Sequence, residues 1–256
     1  MEEFDRLAAL MAALRGEQGC PWDKKQTEQA FRTFLLEETY EVIDAIEKED
    51  HQALKEELGD VLFHILFIAQ ICKEKNLFDI RDVLTSAYTK MYNRHPHVFR
   101  RDESDAPPET SIPHRWEEIK RAEKKEGYSA VSGVPKILPA LLRSYVISKR
   151  AAKLGFDWET KEGVHEKIIE ELAEIREAEQ SGNKELIEEE VGDLLFAVAN
   201  LARFHEIDPE AALRLANSKF VRRFAYVENK ADLANPNPKA MDTLWNEAKD
   251  AEKKGK

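Results

Sequence analysis

Five acids recur at one fixed offset of 133: Glu37, Glu38, Glu41, Glu57 and Asp60 return as Glu170, Glu171, Glu174, Glu190 and Asp193. Residues three apart on a helix share a face, so Glu38 with Glu41, and Glu57 with Asp60, each predict a paired carboxylate edge. If the chain turns back at position 49, Glu41 and Glu57 stand eight residues from the turn, and Glu38 and Asp60 eleven, at matching heights. Around position 182 the second copy repeats this, with Glu174 and Glu190 at eight and Glu171 and Asp193 at eleven. Four converging carboxylates without a cation repel and raise one another's pKa. A hard divalent cation removes that conflict. All-oxygen donors suit Mg²⁺ or Mn²⁺, which are commonly shared with substrate phosphates, whereas zinc or iron would call for histidine. A single ExxE on an exposed helix is an ordinary solvated face. Its duplication at fixed spacing marks these acids as candidate metal ligands.

Downstream of each acidic set stand cations and an aromatic ring. Lys90 and Arg94 recur as Lys219 and Arg223, and Trp116 and Lys120 as Trp245 and Lys249, all at an offset of 129. Each KxxxR lies on one helical face and could neutralise phosphate oxygens. Each WxxxK sets a ring that could stack on a base beside a further cation. Upstream, Trp22 in CPWDKKQ and Trp158 in FDWETKE open the two copies. Histidines carry less. His64 falls one turn after Asp60 but is replaced by Ala197 in the second copy, which reads as packing. His95, His97 and His114 have no counterparts there, and they fit no standard zinc spacing.

The elements that must position these residues follow from the same repeat. Segments 30–47 and 164–180 place Phe31, Phe34, Leu35, Val42 and Ala45, or Val164, Ile168, Leu172 and Ile175, at helical spacing. After a polar break, helical patterns resume over 51–73 and 184–205, and again over 80–93 and 209–226. No alternating strand pattern occurs, so the expected fold is all-α, with one αα-hairpin per copy. Leu35, Leu36, Val61, Leu62 and Phe63 predict that an acidic pair lies beside the core, where buried acids need partners. Proline and glycine punctuation in YSAVSGVPKILPA marks the junction. The expected division is a first module at 1–127, a linker at 128–139 and a second, main catalytic module at 140–256.

Composition narrows the function. A chain of 256 residues with net charge −11 lacks the basic field that draws proteins to duplex nucleic acid or anionic membranes. Such a chain holds a phosphate ligand only through metal ions or a local basic cluster. Cys20 and Cys72 are far apart and outside any CxxC, which indicates neither a disulfide framework nor a zinc site and fits a reducing cytoplasm. With no signal-like N-terminus and no apolar run of about 18 residues, neither export nor membrane spanning is expected.

With EExxE, a fifteen-residue gap and ExxD present twice, followed by KxxxR and WxxxK, the sequence resembles the MazG family of all-α NTP pyrophosphatases. CPWD near the N-terminus adds to the likeness, which spans nearly the whole chain and is to the tandem two-domain members. The resemblance implies hydrolysis of NTPs and dNTPs, ATP among them, to nucleoside monophosphate and pyrophosphate. It also implies broad base and sugar tolerance, a nucleotide-pool house-cleaning role and homodimers that complete four-helix bundles. It assigns Mg²⁺ to Glu171, Glu174, Glu190 and Asp193, and nucleotide contacts to Lys219, Arg223 and Trp245, with Lys249 beside them. The first set, Glu38, Glu41, Glu57 and Asp60 with Lys90, Arg94 and Trp116, is a second possible site in a module that the resemblance makes regulatory or weakly active.

The mechanism expected is a Mg²⁺-clamped triphosphate attacked at the α-phosphorus by an activated water. The sequence contains no P-loop, GxSxG or Cys/His pairing that would support other hydrolytic chemistry. Two rival readings remain at this point. A di-iron carboxylate bundle requires ExxH, which neither ExxD helix supplies. A non-enzymatic helical scaffold would use its acids for solubility alone, and metal-dependent nucleotide binding separates it from the enzyme.

Overall fold

The structure, a computed structural model, describes residues 2–99 and 129–254 together with Arg115, Ile119 and Glu123. His114, Trp116 and Lys120 lie outside the described residues. Every regular element among those described is helical. Among the same residues, no helix is long and apolar enough to cross a membrane.

The chain divides into two compact units, Met1–Lys124 and Lys125–Lys256. In the first, α1 (Glu2–Arg15) precedes the hairpin of α2 (Glu28–Glu47) and α3 (His51–Glu74), followed by α4 (Ile80–Arg94) and the short α5 (Pro96–Phe99). In the second, α6 (Ala140–Ala152) precedes the hairpin of α7 (Lys161–Ser181) and α8 (Lys184–Phe204), followed by α9 (Pro209–Lys230) and α10 (Pro238–Lys254). The hairpins match the expected segments to within a few residues at each end. The sequence pattern had not drawn α1, α6 or α10.

Polar caps set the helix starts. Asp50 accepts from the backbone N–H groups of Gln52 and Ala53 at the head of α3, and Asn183 accepts from Glu185 and Leu186 at the head of α8. These caps lie just beyond the turns. Gly182 ends α7 with φ of 69°, and Glu49 follows α2 with φ of 56°. One left-handed residue thus reverses each hairpin. Glycine adopts that conformation without strain, whereas Glu49 carries a Cβ into it.

The first unit buries large side chains. Met11, Phe31, Leu66, Phe67 and Ile71 form its core, with Phe31 stacked on Phe67 at 4.2 Å. His64 is 8% exposed and sits edge-on to Phe31 and Phe63, a packing position as its sequence context suggested. The second unit buries smaller groups, among them Val164, Ala178, Ala197, Ala199 and Val227. Leu172, expected on the core side of α7, is 44% exposed. The stretch expected as a linker runs as turns over 129–139, with Val134 buried and the Ala130 carbonyl accepting from Arg150 at 3.2 Å. Proline and glycine there mark turns, and the segment still packs with the second unit.

Candidate active site

Because each hairpin is closed by a short turn, acids on α2 and α3 face one another, as do those on α7 and α8. Carboxylate oxygens of Glu38, Glu41 and Glu57 lie within 4.8 Å of one another, and so do those of Glu171, Glu174 and Glu190. Asp60 and Asp193 stand outside these groups and are solvent-exposed. An aspartate side chain is one methylene shorter than glutamate, so from the equivalent helical position it reaches less far across the hairpin.

Glu38, Glu57, Glu174 and Glu190 hold their protons more tightly than free carboxyls. Burial raises Glu38 above the ordinary value of 4.5, and the charges of Asp60, Glu41 and Glu57 add to this. Burial followed by the Glu41 charge raises Glu57. In the second unit, burial and a hydrogen bond with Glu171 raise Glu174, and burial with the charges of Glu171 and Asp193 raises Glu190. Asp60 and Asp193 therefore reach the clusters electrostatically while remaining outside the inner group.

The two clusters differ in one neighbour. Lys167 Nζ lies 2.8 Å from Glu170 and 2.7 Å from Glu171, and hydrogen bonds to Glu170 first and Glu171 second keep the ammonium protonated well above its usual range. The equivalent position in the first unit is Phe34, whose ring lies 6.4 Å from Trp22 and 6.1 Å from His64. Lys167 went unnoticed in the sequence, where the signal available was a lysine four residues before an acid on the same helix.

Glu171 is 2% exposed, and its Oε2 has no hydrogen-bond partner. A buried carboxylate oxygen without a partner is costly unless a cation completes it. The atoms grouped here that could hold a metal are all carboxylate oxygens, a set that suits a hard divalent cation, whereas zinc and iron usually draw on histidine or cysteine as well. The residues present thus fit Mg²⁺ or Mn²⁺.

The basic and aromatic residues lie on another pair of helices. Lys219 and Lys249 are exposed on α9 and α10. Trp245 is partly buried, with its ring 5.2 Å from Phe220 and 5.8 Å from the Arg223 guanidinium carbon. Arg223 is also bound to Glu252, through Nε at 2.9 Å and Nη2 at 2.8 Å. In the first unit Lys90 is exposed, and Arg94 bonds Glu123 in the same manner, with Nη2 at 2.5 Å. Both arginines expected to meet phosphate are therefore fixed to a carboxylate that sequence reasoning had not extracted.

Comparison with known proteins follows the same division of the chain. The MazG nucleotide pyrophosphohydrolase domain matches twice, at residues 26–99 and 159–227, each match containing one acidic hairpin. The chain is 42% identical, over 96% of its length and 95% of the relative's, to the nucleoside triphosphate pyrophosphohydrolase/pyrophosphatase MazG of Thermotoga maritima. It is 43% identical, over 97% of its length and 98% of the relative's, to a nucleoside triphosphate pyrophosphohydrolase of Escherichia coli. YabN of Bacillus subtilis matches at 43% identity over 98% of the chain but 53% of its own length. With both acidic hairpins falling inside matched segments and likeness to relatives running end to end, the chain belongs to the MazG family, in its two-domain form.

Proposed function

We propose that this protein hydrolyses nucleoside triphosphates between the α- and β-phosphorus, releasing a nucleoside monophosphate and pyrophosphate, in a reaction that requires Mg²⁺. The observation that carries the reading is the group formed by Glu171, Glu174 and Glu190, with one buried, unpartnered carboxylate oxygen turned to no protein donor. The activities for which the Thermotoga maritima and Escherichia coli relatives are named support it. Breadth toward base and sugar rests on the family resemblance.

Glu171, Glu174 and Glu190, with Asp193 beside them, would hold the ion, for which Mn²⁺ is an alternative. When bound, the divalent ion supplies Lewis-acid stabilisation of charge on the triphosphate. Lys167 holds the Glu171 carboxylate in place through its 2.7 Å contact. Lys219 and Lys249 place positive charge where an anionic substrate is otherwise opposed by the net negative chain. Trp245 presents an aromatic ring for the base. In the first unit, Glu38, Glu41 and Glu57 with Asp60 form the second candidate site.

The assembly we propose is a homodimer. Leu58, Leu62 and Ile65 form an outward apolar stripe on α3 at exposures of 53%, 37% and 38%. Val191, Leu195 and Val198 repeat it on α8 at 40%, 51% and 43%. Contiguous exposed apolar surface of this kind marks an interface. The two free cysteines agree with a reducing cytoplasmic setting.

Incubation of the full chain with Mg²⁺ and a panel of NTPs and dNTPs, with products separated by ion-exchange chromatography, tests the reaction. Nucleoside monophosphate with pyrophosphate is the expected outcome. Nucleoside diphosphate with orthophosphate would overturn it. Glu174→Gln should lower turnover by roughly a hundredfold.

A further inference from the structure

In both units an arginine and a glutamate at the same separation, Arg94 with Glu123 and Arg223 with Glu252, join the helix that carries KxxxR to the segment after WxxxK. Arg223 reaches from α9 to Glu252 on α10, while Arg94 reaches from α4 to Glu123. Each glutamate lies seven positions beyond its tryptophan, Trp245 or Trp116. On α10 that spacing is close to two full turns, so Trp245 and Glu252 share a face. The clasp is therefore a duplicated device.

Its chemistry is directional. Arg223 sends Nε and Nη2 to one oxygen, Oε2 of Glu252, and its guanidinium stands 5.8 Å from the Trp245 ring. The other oxygen of Glu252 lies 3.4 Å from Arg222. The Arg223 side chain is only 16% exposed. That enclosure sets the pair apart from an ordinary surface ion pair. The carboxyl is held below its usual range, chiefly by the hydrogen bond from Arg223. A guanidinium held this way keeps its fork and its place beside the ring before any ligand arrives.

We propose that Glu252 is a positioning residue of the nucleotide site, fixing Arg223 beside Trp245 so that cation and ring form one prebuilt platform for a nucleoside triphosphate. The proposal rests on the preceding reading of Arg223 and Trp245 as nucleotide contacts. Without the clasp, the ligand itself must order a long, flexible side chain, and that ordering weakens binding. Holding α9 against α10 is a separate role. Glu247 also contributes to helix pairing through partners other than Arg223, accepting from Tyr226 at 3.1 Å and lying 3.9 Å from Lys230. The two glutamates thus allow positioning to be separated from helix pairing.

The experiment measures binding of a non-hydrolysable NTP analogue to the full-length protein with Mg²⁺ by calorimetry, alongside steady-state hydrolysis. Glu252→Gln should raise Kd and KM about tenfold, the scale of one side chain left to be ordered by the ligand, with kcat within about twofold of wild type. Glu252→Asp should recover part of the affinity, and Glu247→Gln should bind as wild type does. Wild-type affinity in Glu252→Gln overturns the proposal. Equal weakening by Glu247→Gln also overturns it, because the clasp then only pins two helices. Absence of pyrophosphate from the wild type would sink the proposed activity alone, since the analogue still judges the clasp. A wild type that does not bind the analogue overturns both.

Discussion

The Glu190 carboxyl is held above its ordinary pKa by burial and by the charges of Glu171 and Asp193. A carboxyl whose folded pKa is raised favours folding while protonated, and that contribution is lost as pH rises through the folded value. In chelator, Glu190→Gln is therefore expected to melt above wild type at pH 7, with the gap closing toward pH 4. Mg²⁺ should reverse the order by stabilising wild type more than the variant. Thermal melts across pH with and without Mg²⁺ check this, and a variant no more stable than wild type at pH 7 in chelator would count against it. The acids were legible because five charged residues kept their spacing through a duplication. Lys167 was hidden by the same comparison, since its counterpart is Phe34 and an alignment of copies discards what only one copy has. Glu123 and Glu252 were hidden differently: each acts one turn past WxxxK, through a pairing with a distant arginine that only the fold makes.

At the scale of elements, the hairpin turns reverse the chain with different residues. Glu49 and Gly182 both occupy left-handed backbone, at φ of 56° and 69°. Gly182→Ala should lower stability by about 1 kcal/mol, because a Cβ is disfavoured there. Glu49→Gly should raise the stability of the first unit by a smaller amount, since relief of that strain is partly offset by the greater freedom of glycine in the unfolded chain. Chemical denaturation of the full chain checks both, and the test is that the signs are opposite. Amphipathic periodicity and polar breaks were enough to place the hairpins in the sequence. Leu172 was misassigned to the core because α7 has apolar residues on more than one face, and periodicity alone does not say which face the rest of the unit covers. Helices α1 and α6 were not drawn because they lie outside the segments that align between copies, and α10 was not drawn because only Trp245 and Lys249 within it were matched, too few positions to show a helical period.

Across the whole molecule, the outward stripes on α3 and α8 predict association. Leu195→Asp places a charge in the second stripe and is expected to shift sedimentation toward monomer and lower pyrophosphate release together. A variant that remains dimeric at full activity would remove α8 from the interface. The two units should also differ in output. Glu174→Ala and Asp193→Ala are expected to remove most pyrophosphate release, whereas Glu41→Ala and Asp60→Ala should matter less. Equal losses would place chemistry in both units. The short reversal in each hairpin also bears on how such a chain can change over time. Adding or deleting one residue between Glu174 and Glu190 would swing one helix by about 100° relative to the other, carrying its acid away from the cluster. The hairpin is thus closed to length change while remaining open to substitution. The segments joining other helices are not bound in this way: the offset between copies falls from 133 within the hairpins to 129 beyond them. Length variation can accumulate there while the distance from turn to acid stays fixed in both copies.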